Sequence, residues 1–225
     1  MHLSPQNSRN SLAAPQSESP FARTAAVVIA LISWAGLLIQ FCATLQLEGS
    51  LPSTLWALLW FFTITTNTLV AIVFTAIAAK ASTDIPPSLV AATTLYILLV
   101  GVTYGLLLHG LLELSGGSAI ANVILHMVTP VLVPIFWLLF TPKGRLTRRD
   151  PLLWAIYPLV YLAYALIRGE FTHRYPYPFI NISILGWPRT MINAVIIAIL
   201  FLITSWLFVA LDSRLARRKT TPSSS

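Results

Sequence analysis

Apolar residues run along this chain in six long stretches, each close to the about 20 that a helix needs to cross a bilayer's hydrocarbon core. They fall near residues 24–44, 55–79, 88–113, 119–141, 152–168 and 188–211. Polar breaks separate them: Glu48-Gly49-Ser50, Asp84-Ile85-Pro86-Pro87, Ser115-Gly116-Gly117-Ser118, then residues 142–151 and 169–187. The pattern predicts an all-α fold, a polytopic membrane protein built as a bundle of six transmembrane helices. The fifth stretch is the shortest and is interrupted by Pro158. Spans this close together leave no room for a second soluble domain, and no internal repeat is visible.

The bundle is expected over residues 23–212. Residues 1–22 are rich in Ser, Pro, Asn and Gln and read as a disordered leader. They do not read as a signal peptide, because the apolar run begins late, runs long and lacks a small-residue cleavage site. Residues 213–225 carry Arg214, Arg217, Arg218 and Lys219 before a run of Thr, Pro and Ser. They read as a basic cytoplasmic anchor with a frayed end.

Composition fits this class and no soluble one. Only 9% of residues are charged, against about 25% in an ordinary soluble domain. A water-facing surface could not be covered, so a soluble globular enzyme is excluded. At 56% hydrophobic, so is a disordered chain. The net charge of +7 sits in short loops and the tail, which suits anionic lipid headgroups rather than nucleic acid, and no nucleic-acid partner is expected. Of the fourteen Lys and Arg, eleven fall on one side of the spans: Arg9, Arg23, Lys80, Lys143, Arg145, Arg148, Arg149, Arg214, Arg217, Arg218 and Lys219. Arg168, Arg174 and Arg189 fall on the other. That bias predicts a multi-pass protein of the cell membrane with both termini cytoplasmic and the loops 45–54, 114–118 and 169–187 facing outward.

Several chemistries can be set aside. The lone Cys42 supports neither a disulfide framework nor a cysteine metal site. His2, His109, His126 and His173 lack metal-type spacing. No phosphate-binding lysine loop, His-Glu-x-x-His, GxSxG or GxGxxG motif occurs, so no cofactor and no metal are expected. No acidic residue lies mid-membrane, which weakens proton-coupled transport.

Polar groups at membrane depth are costly and mark candidate sites. Thr63, Thr65, Thr66, Asn67 and Thr68 cluster in the second span. Threonines in membrane helices mostly bond their own backbone, but the Asn67 amide needs a partner from another helix or water. His126, in the fourth span between Asn122 and Pro130, is the sharpest single residue. His109 lies nearer the interface and can snorkel. Thr63 and His126 both sit roughly 10–12 Å below the outer boundary of their spans at 1.5 Å rise per residue, with His109 and Asn193 in the same half. A hydroxyl and an imidazole at matched depth are the ingredients of a nucleophile and its base. Pro130 and Pro134 should kink the fourth span just below His126. Tyr157, Tyr161 and Tyr164 fall on one helix face and read as packing. Tyr175-Pro176-Tyr177-Pro178-Phe179 reads as an interfacial belt, or as a lid over an outer-facing cavity.

Phe61-Phe62-Thr63-Ile64-Thr65-Thr66-Asn67, Leu125-His126-Met127-Val128-Thr129-Pro130, Phe140-Thr141-Pro142-Lys143-Gly144 and Tyr175 through Phe179 carry a resemblance. They resemble the bacterial Pr6Pr-type six-pass membrane proteins, which are similar to the androgen-induced membrane hydrolases of animals. The resemblance covers most of residues 24–212. It implies a polytopic helical protein and, by the animal members, a hydrolase of fatty-acid esters with an intramembrane Thr and His. The histidine carries over to His126 and the threonine to Thr63, with Thr66 as the other register. Thr66, Asn67, His109 and Asn193 would be supporting or binding groups, with Asn67 or Asn193 donating to an oxyanion. Membrane lipids and a lipid ester are the partners implied. The alternative is a non-catalytic protein that binds or moves a lipid or small apolar solute.

Overall fold

The computed structural model describes residues 19–79, 85–111 and 113–220. Among these the fold is all-α, a polytopic membrane bundle. The helices are α1 (Pro20–Glu48), α2 (Leu51–Leu58), α3 (Phe62–Ala78), α4 (Pro87–Thr103), α5 (Gly116–Val123), α6 (Thr129–Phe140), α7 (Asp150–Thr172) and α8 (Ile182–Thr220), the last broken near its start by a kink at Gly186, where φ is 70° and ψ 164°. Among the described residues five helical segments are long and apolar enough to span a membrane: Pro20–Glu48, Pro87–Leu108, Gly116–Phe140, Asp150–Thr172 and Ile182–Arg218. The expected second span is instead two helices, α2 and α3, meeting at 95°. The count is therefore five, or six if that bent pair is one span.

Local chemistry explains most boundaries. Gly49 ends α1 in the left-handed region at φ 71°, returning its N–H to the Leu45 carbonyl. Ser50 then caps α2, accepting from the Ser53 N–H, with Pro52 in the first turn. The break between α2 and α3 contains neither Pro nor Gly. Trp60 and Phe61 close tight turns onto the Ala57 and Leu58 carbonyls, and Phe61 is extended. Tertiary contacts hold the corner. The Tyr161 hydroxyl donates to the Trp60 carbonyl at 2.7 Å, Phe62 packs on Tyr157 and Tyr161, and the buried Arg168 guanidinium lies 3.8 Å from the Trp56 ring and 4.7 Å from that of Trp60.

Three other expectations are corrected. α7 is 23 residues long and passes through Pro158, so the fifth span is not the shortest; bundle packing outweighs the one lost backbone bond. α1 begins at Pro20, inside the expected leader, because Pro suits a first helical turn. α8 continues to Thr220, since Arg and Lys are good helix formers and favour the last turns. Residues 1–18 of the leader with Arg9, Lys80 and Asp84 of the second polar break, and residues 221–225 of the tail lie outside the described residues.

α3 packs along α1, α4 against α6 and α3, and α7 against α8. Buried carboxylates organise the end of the bundle where the basic residues gather. Asp212 accepts from the Gly144 and Leu146 N–H groups, and Asp150 accepts from Ser88 and from the Thr147 N–H.

The fourth span holds a π-helical turn, Ile124–Val128. The expected kink below His126 is thus a widening that contains His126. Thr129 sends its N–H five residues back to Ile124, and Pro130 has no N–H for the Leu125 carbonyl. Two glycines make room for the wider turn. A Cβ on Gly36 would lie 2.6 Å from Ile124, and one on Gly101 would lie 2.6 Å from the Pro130 ring. A proline ring cannot move aside, so Gly101→Ala should separate α4 from α6 and cost about 1–2 kcal/mol of stability. Gly105, with open space around it, is the control. Thermal melts in detergent should drop for Gly101→Ala and stay flat for Gly105→Ala; equal melts would refute the close approach.

Candidate functional site

The break before α3 is what positions the site. It starts a helix in the interior of the bundle, and Thr63 is the second residue of that helix. Thr63 is 6% exposed, and its hydroxyl lies 3.1 Å from His126 Nε2. His126 Nδ1 lies 3.2 Å from the Asn122 carbonyl one helical turn back. A carbonyl only accepts, so Nδ1 carries the proton and Nε2 turns its lone pair to the Thr63 O–H. The threonine therefore donates to the imidazole. The Tyr104 ring stacks on His126 at 4.5 Å, and its hydroxyl accepts from the Asn122 amide at 2.7 Å. His109 meets Tyr104 edge-on at 5.5 Å.

Helix starts leave their first N–H groups free. Ile64 and Thr65 both turn to the Phe61 carbonyl, while Phe62 and Thr63 have no backbone acceptor. Their N–H groups, at the positive end of α3, face the Tyr177 hydroxyl from the 173–181 loop. Burial pushes the Tyr177 pKa up, and contacts with the Thr63 side chain and with the Thr63 and Phe62 backbone pull it part of the way back.

Two cavities meet at Thr63. One, of about 880 Å³, is lined by Gln40, Phe61, Tyr104, His109, Asn122 and His126. The other, of about 140 Å³, is apolar and lined by Leu99, Val100, Leu162, Ala194, Ala198 and Phe201. Thr63, Leu108 and Tyr177 line both and form the partition.

The remaining expected site residues separate by position. Thr66 is fully buried and faces the Tyr157 hydroxyl at 3.2 Å, not His126. Tyr157 also donates to Thr65. Asn67 donates to the Thr63 carbonyl at 2.9 Å and the Leu125 carbonyl at 3.2 Å, and accepts from Thr129 at 2.8 Å. Asn193 donates to the Phe179 carbonyl, tying α8 to the loop. Both amides sit in structural bonds; the donors beside Thr63 that have no backbone acceptor are the Phe62 and Thr63 N–H groups, which the Tyr177 hydroxyl faces. Sequence reading passes over those, since no side chain announces them, and over Tyr104, whose place beside His126 follows from helix packing alone. Asn122 had a legible signal: it stands one turn before His126.

Among the described residues no three His, Cys, Asp or Glu cluster as a metal site would require. No protein-family model, curated protein or solved structure matches the chain.

Proposed function

We propose that this multi-pass membrane protein is an intramembrane hydrolase of lipid carboxylic esters, with Thr63 as nucleophile and His126 as base. The observation that carries the reading is the 3.1 Å contact between the Thr63 hydroxyl and the unprotonated nitrogen of His126, within reach for proton transfer. His126 Nε2 takes the Thr63 proton while Oγ1 bonds to the acyl carbon, and the carbonyl oxygen becomes an oxyanion. The Phe62 and Thr63 N–H groups, with α3's dipole behind them, stabilise it once the ester carbonyl displaces the Tyr177 hydroxyl that faces them. The C–O ester bond then breaks, and His126 passes its proton to the leaving alkoxide, releasing the alcohol. Water reverses the sequence: His126 takes one proton, the hydroxide attacks the acyl carbon, and Thr63 leaves with its proton restored. One ester and one water give one acid and one alcohol. The resemblance of the Thr63 and His126 segments to the Pr6Pr-type and androgen-induced proteins supports the same reading. A fluorophosphonate probe should label the purified protein on Thr63, located by peptide mass spectrometry. No labelling, together with no hydrolysis of any ester in a lipid-ester panel, would leave lipid binding as the better account.

The eleven-to-three distribution of basic residues supports a cell-membrane orientation with cytoplasmic termini and the larger cavity toward the outside. In a Cys42→Ala background, cysteines at Ser50 and Gly117 should react with an impermeant thiol reagent on intact cells, and one at Gly144 should not. The reverse pattern would invert the orientation.

A further inference from the structure

We infer that the 140 Å³ apolar slot is the acyl pocket of this site, and that the preferred substrate is an ester of a compact acid, of about six carbons, with a bulky apolar or amphiphilic alcohol. The inference rests on the hydrolase reading above and adds to it the direction in which the ester lies. Its first support is a chemical asymmetry between the cavities. The leaving alkoxide must take its proton from His126 Nε2, so the alcohol lies on the histidine side. His126 lines only the larger cavity, of about 880 Å³. The acyl chain then has to leave Thr63 through the other cavity, and the slot is the one that begins at Thr63 without touching His126.

The slot's lining is mostly hydrocarbon, the exceptions being Thr103, Tyr161 and the partition residues Thr63 and Tyr177. Leu99, Val100, Leu162, Ala194, Ala198 and Phe201 present no polar side-chain atom. It follows α8 inward from Ala194 to Phe201, seven residues or roughly 10 Å of helix. Phe201 is buried and stacks parallel to Tyr96, which backs the far end with a second ring. A dry apolar cavity of about 150 Å³ accepts benzene, so the slot, which is partly open and holds about 140 Å³, encloses about six carbons of an acyl tail. The larger chamber has several times that room and a polar share in its wall from Gln40, Thr44, Asn122 and His109. It can hold a long or functionalised alcohol.

An isomeric pair of esters tests the orientation with the same atoms and the same hydrophobicity: dodecyl hexanoate and hexyl dodecanoate, presented to the purified full-length protein in mixed micelles. Dodecyl hexanoate should be hydrolysed faster by about tenfold or more. A methylumbelliferyl series from acetyl to palmitoyl should peak near hexanoyl. Phe201→Ala should move that peak to longer chains by opening the far end, and Ala198→Leu should move it to shorter ones by filling the slot. Because the two variants act in opposite directions, general loss of folding cannot imitate the result. Equal rates for the isomers, faster hydrolysis of hexyl dodecanoate, or a peak that neither variant moves would overturn the pocket assignment while the hydrolase reading stands. Absence of hydrolysis for every ester would overturn the hydrolase reading, and the pocket assignment with it.

Discussion

Thr63→Ala and His126→Ala should each lower kcat/KM for ester hydrolysis by about 10³-fold or more, and the double variant should be no worse than either single one. A threonine hydroxyl is a weak nucleophile until a base accepts its proton. The base here is held by two independent contacts, the Asn122 carbonyl on Nδ1 and the Tyr104 ring on its face. Removing either member of such a pair removes the same transition-state stabilisation, so the losses overlap rather than multiply. Thr63→Ser keeps the hydroxyl and should keep most of the activity. Thr63→Val keeps the shape, loses the hydroxyl, and should be as inactive as Thr63→Ala. Thr66→Ala should stay active, because the Thr66 hydroxyl faces Tyr157 and not His126. Losses for Thr63 and His126 that multiply in the double variant would mean two separate contributions and no nucleophile–base pair. Wild-type activity in every single variant would end the assignment.

The sequence made the spans legible because lipid exposure leaves a one-dimensional record: long apolar stretches with polar punctuation. It made His126 legible for the same reason, since an imidazole among Leu, Met and Val stands out. Matched depth placed Thr63 near the level of His126, and depth follows from counting residues along a helix. The 95° corner at Leu59–Phe61 left no such record. Its residues Leu59, Trp60 and Phe61 read as ordinary membrane helix, and the corner exists because Tyr161 and Arg168, a hundred residues later in the chain, hold Trp60. That corner turns Thr63 from a mid-span residue into the second residue of a helix, and so leaves the Phe62 and Thr63 N–H groups without a backbone acceptor, facing the Tyr177 hydroxyl. The π-helical turn was half legible: Pro130 announced a disturbance, but its form depended on space left by Gly36 and Gly101 on two other helices.

Asn67→Leu should destabilise the protein by about 1–3 kcal/mol, and most of that cost should vanish when Pro130 is also replaced by Ala. The expectation comes from one carbonyl. In the widened turn Thr129 bonds the Ile124 carbonyl, so the next acceptor, Leu125, looks to residue 130 for its N–H. Residue 130 is proline and has none. The Asn67 amide fills the vacancy at 3.2 Å while its oxygen takes the Thr129 hydroxyl at 2.8 Å. Leucine at 67 would leave the Leu125 carbonyl without its amide partner inside a bundle where Asn67 is fully buried, at a cost of about 1–3 kcal/mol for an unsatisfied group. The Thr129 hydroxyl, 3.3 Å from the same carbonyl, can turn to it and recover part of this. Alanine at 130 supplies the missing N–H, so the carbonyl no longer depends on residue 67. A double-mutant cycle of denaturation free energies in detergent should therefore give a coupling of about 1 kcal/mol or more, with the double variant more stable than the sum of the singles. Strictly additive costs would mean that Asn67 stabilises the bundle by packing alone and that the Leu125 carbonyl finds its donor elsewhere.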